Sequence, residues 1–123
     1  MKKKDISHED CRASLRNIGD ALYVIGGKWK LKIIVALSEG NSRFNDLQRT
    51  INGISAKVLS NELKEMEANG LVIRHVYDQW PVAVAYELTE YSQSLTPVLI
   101  ALDNWGAMHS KKIRRQMNKV ENN

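Results

Sequence analysis

Apolar residues in the first half of the chain recur at helical spacing. A first helix is expected over roughly residues 11–24. Its apolar stripe recurs at i, i+4, i+7, i+11 and i+14 and is formed by Cys11, Leu15, Ile18, Leu22 and Ile25. Residues 28–38 are apolar on most sides, which predicts a buried helix whose lysines 28, 30 and 32 mark an exposed start. A third, shorter helix follows, with Ser42 as its expected N-cap and Phe44, Leu47 and Ile51 on its buried side.

The fourth helix is specified locally at both ends. Ser55 is the expected N-cap, and Gly70 suits the left-handed residue that follows a helix, with Leu71 folding back in a Schellman contact. Leu59, Leu63 and Met66 share its inner side. The dipeptide Asn52-Gly53 predicts a tight turn between the third and fourth helices. Residues of about 43–69 therefore form a predicted helix-turn-helix.

After Gly70 the apolar period changes from helical spacing to alternation. Residues 72–77 and 82–88 predict two antiparallel strands, joined by about four residues around Trp80-Pro81, so the hairpin spans about 71–88. A helix-turn-helix followed by a hairpin is a winged helix-turn-helix, mainly α with a small antiparallel β-hairpin. This fold is suited to placing one helix in the major groove of duplex DNA.

A last helix is expected over about 90–117, with Thr89 as its cap and apolar residues at spacing like the a and d positions of a coiled coil. This seam needs a partner, and we expect it to pack both on the first helix (about 11–25) and on a second copy of the chain. The expected dimer residues are Leu15, Ile18, Leu22, Leu95, Leu99, Leu102 and Trp105. No repeat or linker divides residues 1–123, so one domain with N- and C-terminal dimerisation helices is expected.

The outer face of the fourth helix has the chemistry of a recognition helix. Lys57, Ser60, Asn61 and Lys64 lie at i, i+3, i+4 and i+7. Asparagine can read adenine through two hydrogen bonds, lysine can reach guanine or phosphate, and serine can contact either. Any surface helix presents polar residues outward, so the alternative is a solvated face. The short preceding helix, the tight turn and the hairpin favour recognition.

Charge and composition agree with this interpretation. The chain is 43% apolar and 26% charged with a net charge of +4, and residues 28–74 contain eight Lys/Arg against five Asp/Glu. The runs at Lys2 to Lys4 and in 111–119 are treated as solvated tails and carry little weight. Apolar runs are too short to span a membrane, and the single cysteine indicates a cytoplasmic protein. No cofactor motif, metal-ligand spacing or nucleophile–base pair appears, so an enzyme is not expected.

The chain resembles the HxlR-type transcriptional regulators, which are bacterial winged-helix repressors and activators related to MarR. The resemblance runs from Cys11 to about His109 and is carried by GGKW (26–29), RFNDL (43–47), the pattern GIS-K-LS-LKE-E-GL across 53–71, YELT (86–89) and the run from Leu95 to His109. It implies a homodimer that places two recognition helices, Ser55–Asn69 here, on a palindromic operator. It also implies that Arg43 contacts phosphate. The DNA-binding candidates are Lys28, Arg43, Ser55, Lys57, Ser60, Asn61, Lys64 and Arg74.

The wing differs from those of the family. It has no Lys or Arg after Arg74, and its tip carries Asp78, Trp80 and Pro81. Phosphate contacts need positive charge, so the wing should contribute through Arg74 at its base, and through His75 when protonated. The recognition helix, Arg43 and the lysines at 28 to 32 should carry most of the affinity.

Cys11 has two interpretations. In several members of the family the matching cysteine senses oxidants or electrophiles, so the resemblance makes Cys11 a redox-sensing candidate. The alternative is an inert residue at the start of the apolar stripe, packed in the dimer seam.

A winged-helix protein-interaction module that does not bind DNA is the alternative function. The sequence identifies neither an operator nor a small-molecule effector.

Overall fold

A computed structural model describes residues 8–121. The elements are α1 (His8–Ile25), α2 (Lys30–Ser38), α3 (Phe44–Thr50), α4 (Ala56–Ala68), β1 (Val72–Tyr77), β2 (Ala83–Leu88), a 3₁₀ helix (Tyr91–Leu95) and α5 (Thr96–Glu121). The expected fold class, mainly helical with one antiparallel hairpin, is confirmed. The N-terminal lysines 2 to 4 lie outside the described residues.

The chain divides into two compact units, one ending at Thr89 and the other beginning at Glu90. The first unit holds the core, in which α2, α3, α4 and the start of β1 meet. Its largest fully buried side chains are Ile33, Leu47, Leu59, Leu63, Met66 and Leu71. The inner side expected for α4 is therefore the side that packs, and its opposite side is left to solvent.

Both ends of α4 have the expected caps. The Ser55 hydroxyl accepts a hydrogen bond from the Val58 amide at 3.1 Å. At the other end Gly70 has a φ of 75°, and the Leu71 amide donates to the Met66 carbonyl at 2.9 Å, as in a Schellman motif. These local bonds fix where the helix begins and ends, independently of its packing.

The expected cap of α3 is wrong. The N-cap residue is Arg43, whose side chain makes no capping bond. Ser42 instead has its carbonyl bonded to the Tyr86 amide at 2.7 Å, and Arg43 forms an isolated β-bridge with Ala85. The segment before α3 is extended because it pairs with β2, and tertiary pairing here replaces the local cap.

The hairpin has a regular register from Val72 opposite Leu88 to Tyr77 opposite Ala83. At its open end the Thr89 hydroxyl donates to the Gly70 carbonyl at 2.6 Å, and the Thr89 amide donates to the Leu71 carbonyl. The two strands therefore leave the end of α4 as a joined pair. The hydrogen bonds of Thr89 thus join the end of the wing to the residues that follow α4.

The second unit differs from expectation at both ends. A 3₁₀ helix with Glu90 at its N-cap precedes α5, which begins at Thr96 and continues to Glu121. Proline is tolerated in a first helical turn but clashes in an interior one, so an α-helix starting near residue 90 would conflict with Pro97. None of the described helices has the length and apolar character needed to cross a membrane.

Candidate nucleic-acid interface

The outer face of α4 presents three of its four expected residues to solvent. Lys57, Asn61 and Lys64 are exposed, and they lie on the side opposite the buried Leu59 and Leu63. Each projects a hydrogen-bond donor, and two of them carry positive charge. A face of this kind can meet base edges and phosphate oxygens.

Ser60 is placed differently from the other three. It is half-buried and lines an open groove of about 530 Å³ whose walls also include Arg43 and Arg74. The rest of the groove is formed by Phe44, Asn45, Gln79, Pro81, Val82, Ala83, Val84 and Tyr86. Three of the expected DNA-binding residues, Arg43, Ser60 and Arg74, thus line one groove between α4, the start of α3 and the wing. Two of the three are arginines.

The groove is positioned by backbone bonds. Arg43 is held by its bridge to Ala85 and by the bond from Tyr86 to the preceding carbonyl. Arg74 lies opposite Tyr86 in the β-ladder. The backbones that carry the two arginines are therefore registered against the same strand, β2. Asn45 of α3 and Gln79 of the wing loop also line the groove, and the sequence does not predict either, because no local pattern shows that these amides will face it.

Lys28 and Lys32 share one aromatic ring. The Lys28 ammonium lies 4.7 Å from the centroid of the Trp29 ring and the Lys32 ammonium lies 5.4 Å from it. The same indole is the side chain nearest to Gly53, in the turn between α3 and α4. Cation–π attraction therefore holds two positive charges beside the turn that leads into α4. The sequence does not make Trp29 a candidate, since its role depends on how the two lysine side chains lie against the ring.

Lys30 corrects one expectation. It was expected at the exposed start of α2, yet its residue is only 7% exposed. Its ammonium lies 2.7 Å from Glu62 Oε2 and 2.7 Å from Glu65 Oε2, both on α4. Burial lowers the pKa of Lys30 through desolvation, but hydrogen bonds and charge contacts with the two glutamates outweigh this and raise the pKa above the usual 10.5. Lys30 is thus paired within the protein, whereas Lys28 and Lys32 are exposed.

The wing tip is exposed and apolar. Trp80 is 95% exposed, and Val82 is exposed beside it. His75, which was offered as a wing cation, has its Nε2 2.9 Å from Glu87 Oε2. The Glu87 carboxylate is thus the acidic partner of His75. Arg74 remains as the cation at the base of the wing.

The stripe on α1 faces solvent in the single chain. Leu15, Ile18 and Leu22 are 68%, 58% and 60% exposed. Cys11 is also exposed in the first turns of this helix, so in one chain its thiol is open to solvent and not packed. The packed interpretation of Cys11 therefore requires a partner that covers it.

The apolar side of α5 is likewise open. Leu102 and Trp105 are 49% and 59% exposed, and Leu95 and Leu99 are half-buried. Trp105 stacks on His109 with 4.9 Å between ring centroids. No residue of α5 is buried, although its apolar residues recur along one side. The two helices expected to dimerise each carry apolar surface that one chain leaves uncovered.

The sequence profile of the HxlR-like helix-turn-helix family matches residues 24–114. Over 92 residues the chain is 45% identical to the HTH-type transcriptional regulator YtcD of Bacillus subtilis (strain 168), with 75% of this chain and 73% of the relative covered. It is 43% identical over 107 residues to the regulator BH0655 of Halalkalibacterium halodurans, covering 82% of this chain and 95% of that protein.

Solved structures agree with the sequence comparison. The redox regulator HypR in its reduced form matches with a TM-score of 0.74 at 35% identity, over 80% of this chain and 98% of that chain. The oxidised form of HypR matches with a TM-score of 0.70 at 38% identity, over 75% and 95% of the two chains. The likeness thus covers most of the fold and is accompanied by clear sequence identity.

Proposed function

Since this chain belongs to the HxlR-like helix-turn-helix family of transcriptional regulators, we propose that it binds a palindromic DNA operator as a homodimer. The observation that carries the proposal is the placement of Lys57, Asn61 and Lys64 on the exposed side of a capped helix. Beside that helix, Arg43 and Arg74 line a common groove. The arrangement combines groups suited to base edges with groups suited to the phosphate backbone.

The residues have distinct roles in this proposal. Asn61 reads a base edge, because a side-chain amide can both donate to and accept from adenine. Lys57 and Lys64 contact phosphates or guanine. Arg43 and Arg74 grip the backbone along the groove, and the half-buried Ser60 contributes its hydroxyl there. These contacts set the register on the duplex, and Asn61 supplies most of the sequence preference.

Lys28 and Lys32 add phosphate contacts next to the turn before α4. Their support is the shared Trp29 ring and its position next to Gly53. In helix-turn-helix proteins the N-terminal residues of the recognition helix contact base edges, so phosphates flank that end of the helix. Ser55 lies at this end, where its hydroxyl oxygen already caps the helix.

The homodimer is supported by the uncovered apolar surfaces of α1 and α5. A monomer would expose the stripes that contain Leu15, Ile18 and Leu22 on one helix and Leu102 and Trp105 on the other. Exposed patches of this kind mark interaction sites in soluble proteins. Two copies would present their recognition helices to half-sites about one helical turn apart, roughly 34 Å.

The proposal includes a redox input at Cys11. Its thiol is exposed, and the similar regulator HypR has been solved in oxidised and reduced forms. Oxidation of two Cys11 thiols to one disulfide between subunits would release two electrons and two protons to the oxidant. A bond of that kind would tie the N-terminal ends of two α1 helices and alter the spacing of the recognition helices.

A mobility-shift titration with fragments of the chain's own promoter region tests the function. The proposal expects a shifted complex that survives an excess of unrelated duplex and is lost when one half of the palindrome is scrambled. A protein that shifts no promoter fragment in preference to unrelated duplex would contradict it. That result would favour a winged-helix module that contacts other proteins.

A further inference from the structure

The last three turns of α5 carry a concentration of positive charge. Between residues 111 and 119 there are five Lys/Arg, and residues 104–120 contain no Asp or Glu. The sequence alone predicts a solvated tail here, whereas in the structure this run is part of a continuous helix that ends at Glu121. The charges are therefore held in a fixed pattern instead of being spread along a flexible tail.

Four of the cations share one side of the helix, which we name the basic stripe: Lys111, Lys112, Arg115 and Lys119. They line a shallow groove of about 300 Å³ together with Met108 and Gln116. Lys111, Arg115 and Lys119 follow one another at i, i+4 and i+8, which separates neighbours by about 6 Å along the axis. All four are exposed, and across residues 8–121 none of them forms an ion pair with a carboxylate.

The apolar residues of the same turns lie on the opposite side. Ile113 and Met117 are each two positions beyond Lys111 and Arg115, and two helical positions rotate a side chain by about 200°. Their side chains are 40% and 59% exposed. When a second copy covers this apolar side, as the proposed dimer requires, the basic stripe stays in solvent.

We propose that the basic stripe on α5 is a second DNA-binding surface, which binds the phosphate backbone of duplex DNA without regard to sequence. Uncompensated cations in a row fit a polyanion of regular charge spacing, and each neutralised phosphate releases condensed counterions. The surface uses no residue of α4 or of the wing. It needs no operator, and so adds to the proposed function without depending on its specificity.

An anionic membrane is the competing partner, since helices with basic and apolar faces also bind lipid surfaces. Such a helix inserts its apolar side while lysines at the boundary extend to the headgroups. In the proposed dimer the second copy covers the apolar side of α5, so that side is not free to insert into lipid, whereas Lys111, Arg115 and Lys119 remain in solvent. The geometry therefore favours a partner that approaches the basic stripe alone.

The test compares two matched double variants on a long duplex of unrelated sequence, by fluorescence anisotropy between about 50 and 200 mM salt. Lys111→Ala/Arg115→Ala removes two charges from the basic stripe at i and i+4. Arg12→Ala/Arg16→Ala removes two charges at the same spacing from α1. Alanine favours helix, so circular dichroism and light scattering should show α5 and the dimer intact in both.

The basic stripe should account for a defined part of the salt dependence. For Lys111→Ala/Arg115→Ala we expect affinity to fall roughly tenfold or more at about 100 mM salt, with a log–log salt slope shallower by about two units for each subunit whose basic stripe contacts the duplex. The α1 variant should stay within about threefold of the original protein with its slope retained, since its charges are not aligned on the duplex. Lys111→Arg/Arg115→Lys keeps both charges and should restore binding.

Three results would overturn the inference. The first is an equal loss in the two alanine variants, which would reduce the effect to net charge. The second is an unchanged slope in Lys111→Ala/Arg115→Ala. The third is loss of binding to vesicles of phosphatidylserine and phosphatidylcholine in that variant while duplex binding stays intact, which would assign the surface to membranes.

The same assay separates this inference from the proposed function. Asn61→Ala should leave binding to unrelated duplex nearly unchanged, because a base contact contributes little there. Suppose that no operator is found, but Lys111→Ala/Arg115→Ala still binds unrelated duplex more weakly and with a shallower salt slope. The proposed function then fails, and the second DNA-binding surface stands. If operator binding is specific while the stripe variant behaves like the original protein, the reverse holds.

Discussion

The ammonium of Lys30 lies 2.7 Å from Glu62 Oε2, and this ion pair joins α2 to α4. Glu65, one turn further along α4, meets the same ammonium at 2.7 Å. A positive charge that the sequence assigned to the DNA surface thus holds the recognition helix in place from behind. Asn61 and Lys64 alternate with these glutamates along α4. The orientation of α4 that brings both glutamates to Lys30 therefore leaves Asn61 and Lys64 exposed.

Removing Lys30 should destabilise the fold in a pH-dependent way. In Lys30→Met the free energy of unfolding should fall by about 2 kcal/mol near neutral pH, less than for fully buried pairs because Glu65 is largely exposed. The pKa of Lys30 is raised by folding, so this stabilisation is fully present below about 10.5 and is lost as pH rises through the folded pKa.

Urea titrations at neutral pH and above pH 10.5 measure this difference. The original protein and Lys30→Met should converge in stability as Lys30 loses its proton. Lys32→Met is the matched control, since Lys32 is exposed on the same helix and should cost little. Equal losses for the two substitutions, or a gap that widens with pH, would show that the pair does not stabilise the fold.

The features that the sequence predicts correctly are those that depend on residues close together along the chain. The boundaries of α4 could be predicted because Ser55 and Gly70 act within one turn of the helix ends. The failures at Ser42 and Lys30 share a cause, since each is decided by a partner distant in sequence, Tyr86 for one and Glu62 for the other. A lysine next to an aromatic residue at the start of a helix gives no sign that two acids on another helix will bury it.

The same reasoning applies to the candidate site. The i, i+3, i+4, i+7 pattern found the outer face of α4, but it assigned Ser60 to the same exposed row as Asn61. Ser60 is half-buried, and it lines the groove together with Arg43 and residues of α3 and the wing. Helical periodicity shows which side of a helix is polar, whereas the neighbouring elements decide which polar residue remains open.

Disruption of the α5 seam should dissociate the proposed dimer. Leu102→Asp places a charge on the apolar side, where pairing would have to bury it, so light scattering should show a monomer at micromolar concentration. Asn104→Asp adds the same charge on the other side of α5 and should leave the dimer intact. An original protein that is already a folded monomer at that concentration would contradict dimerisation through these helices.

Oxidation should alter DNA binding only when Cys11 is present. Diamide should change the apparent Kd for the promoter fragment, and a covalent dimer should appear on a non-reducing gel. Both effects should vanish in Cys11→Ser and reverse with dithiothreitol, because Cys11 is the single cysteine of the chain. A binding curve that diamide leaves unchanged would make Cys11 a residue without a regulatory role.

The wing should act through its base and not through its tip. Trp80→Ala should change DNA affinity by less than about 0.5 kcal/mol, because the side chain is 95% exposed and the tip carries no cation for phosphate. Arg74→Ala should cost more, since its guanidinium serves the groove shared with Arg43. A tenfold loss for Trp80→Ala in an intact dimer would show that the indole inserts into the duplex.

In the proposed complex Asn61 reads sequence, whereas Lys64 supplies mainly charge. The direct measurement is the affinity of Asn61→Ala and Lys64→Ala for the operator and for unrelated duplex, across a range of salt. Asn61→Ala should lose roughly 1–3 kcal/mol on the operator and little on unrelated DNA. Lys64→Ala should weaken both and make the salt slope shallower by about one unit for each subunit that contacts the duplex. Equal losses on operator and unrelated DNA for Asn61→Ala would contradict the account.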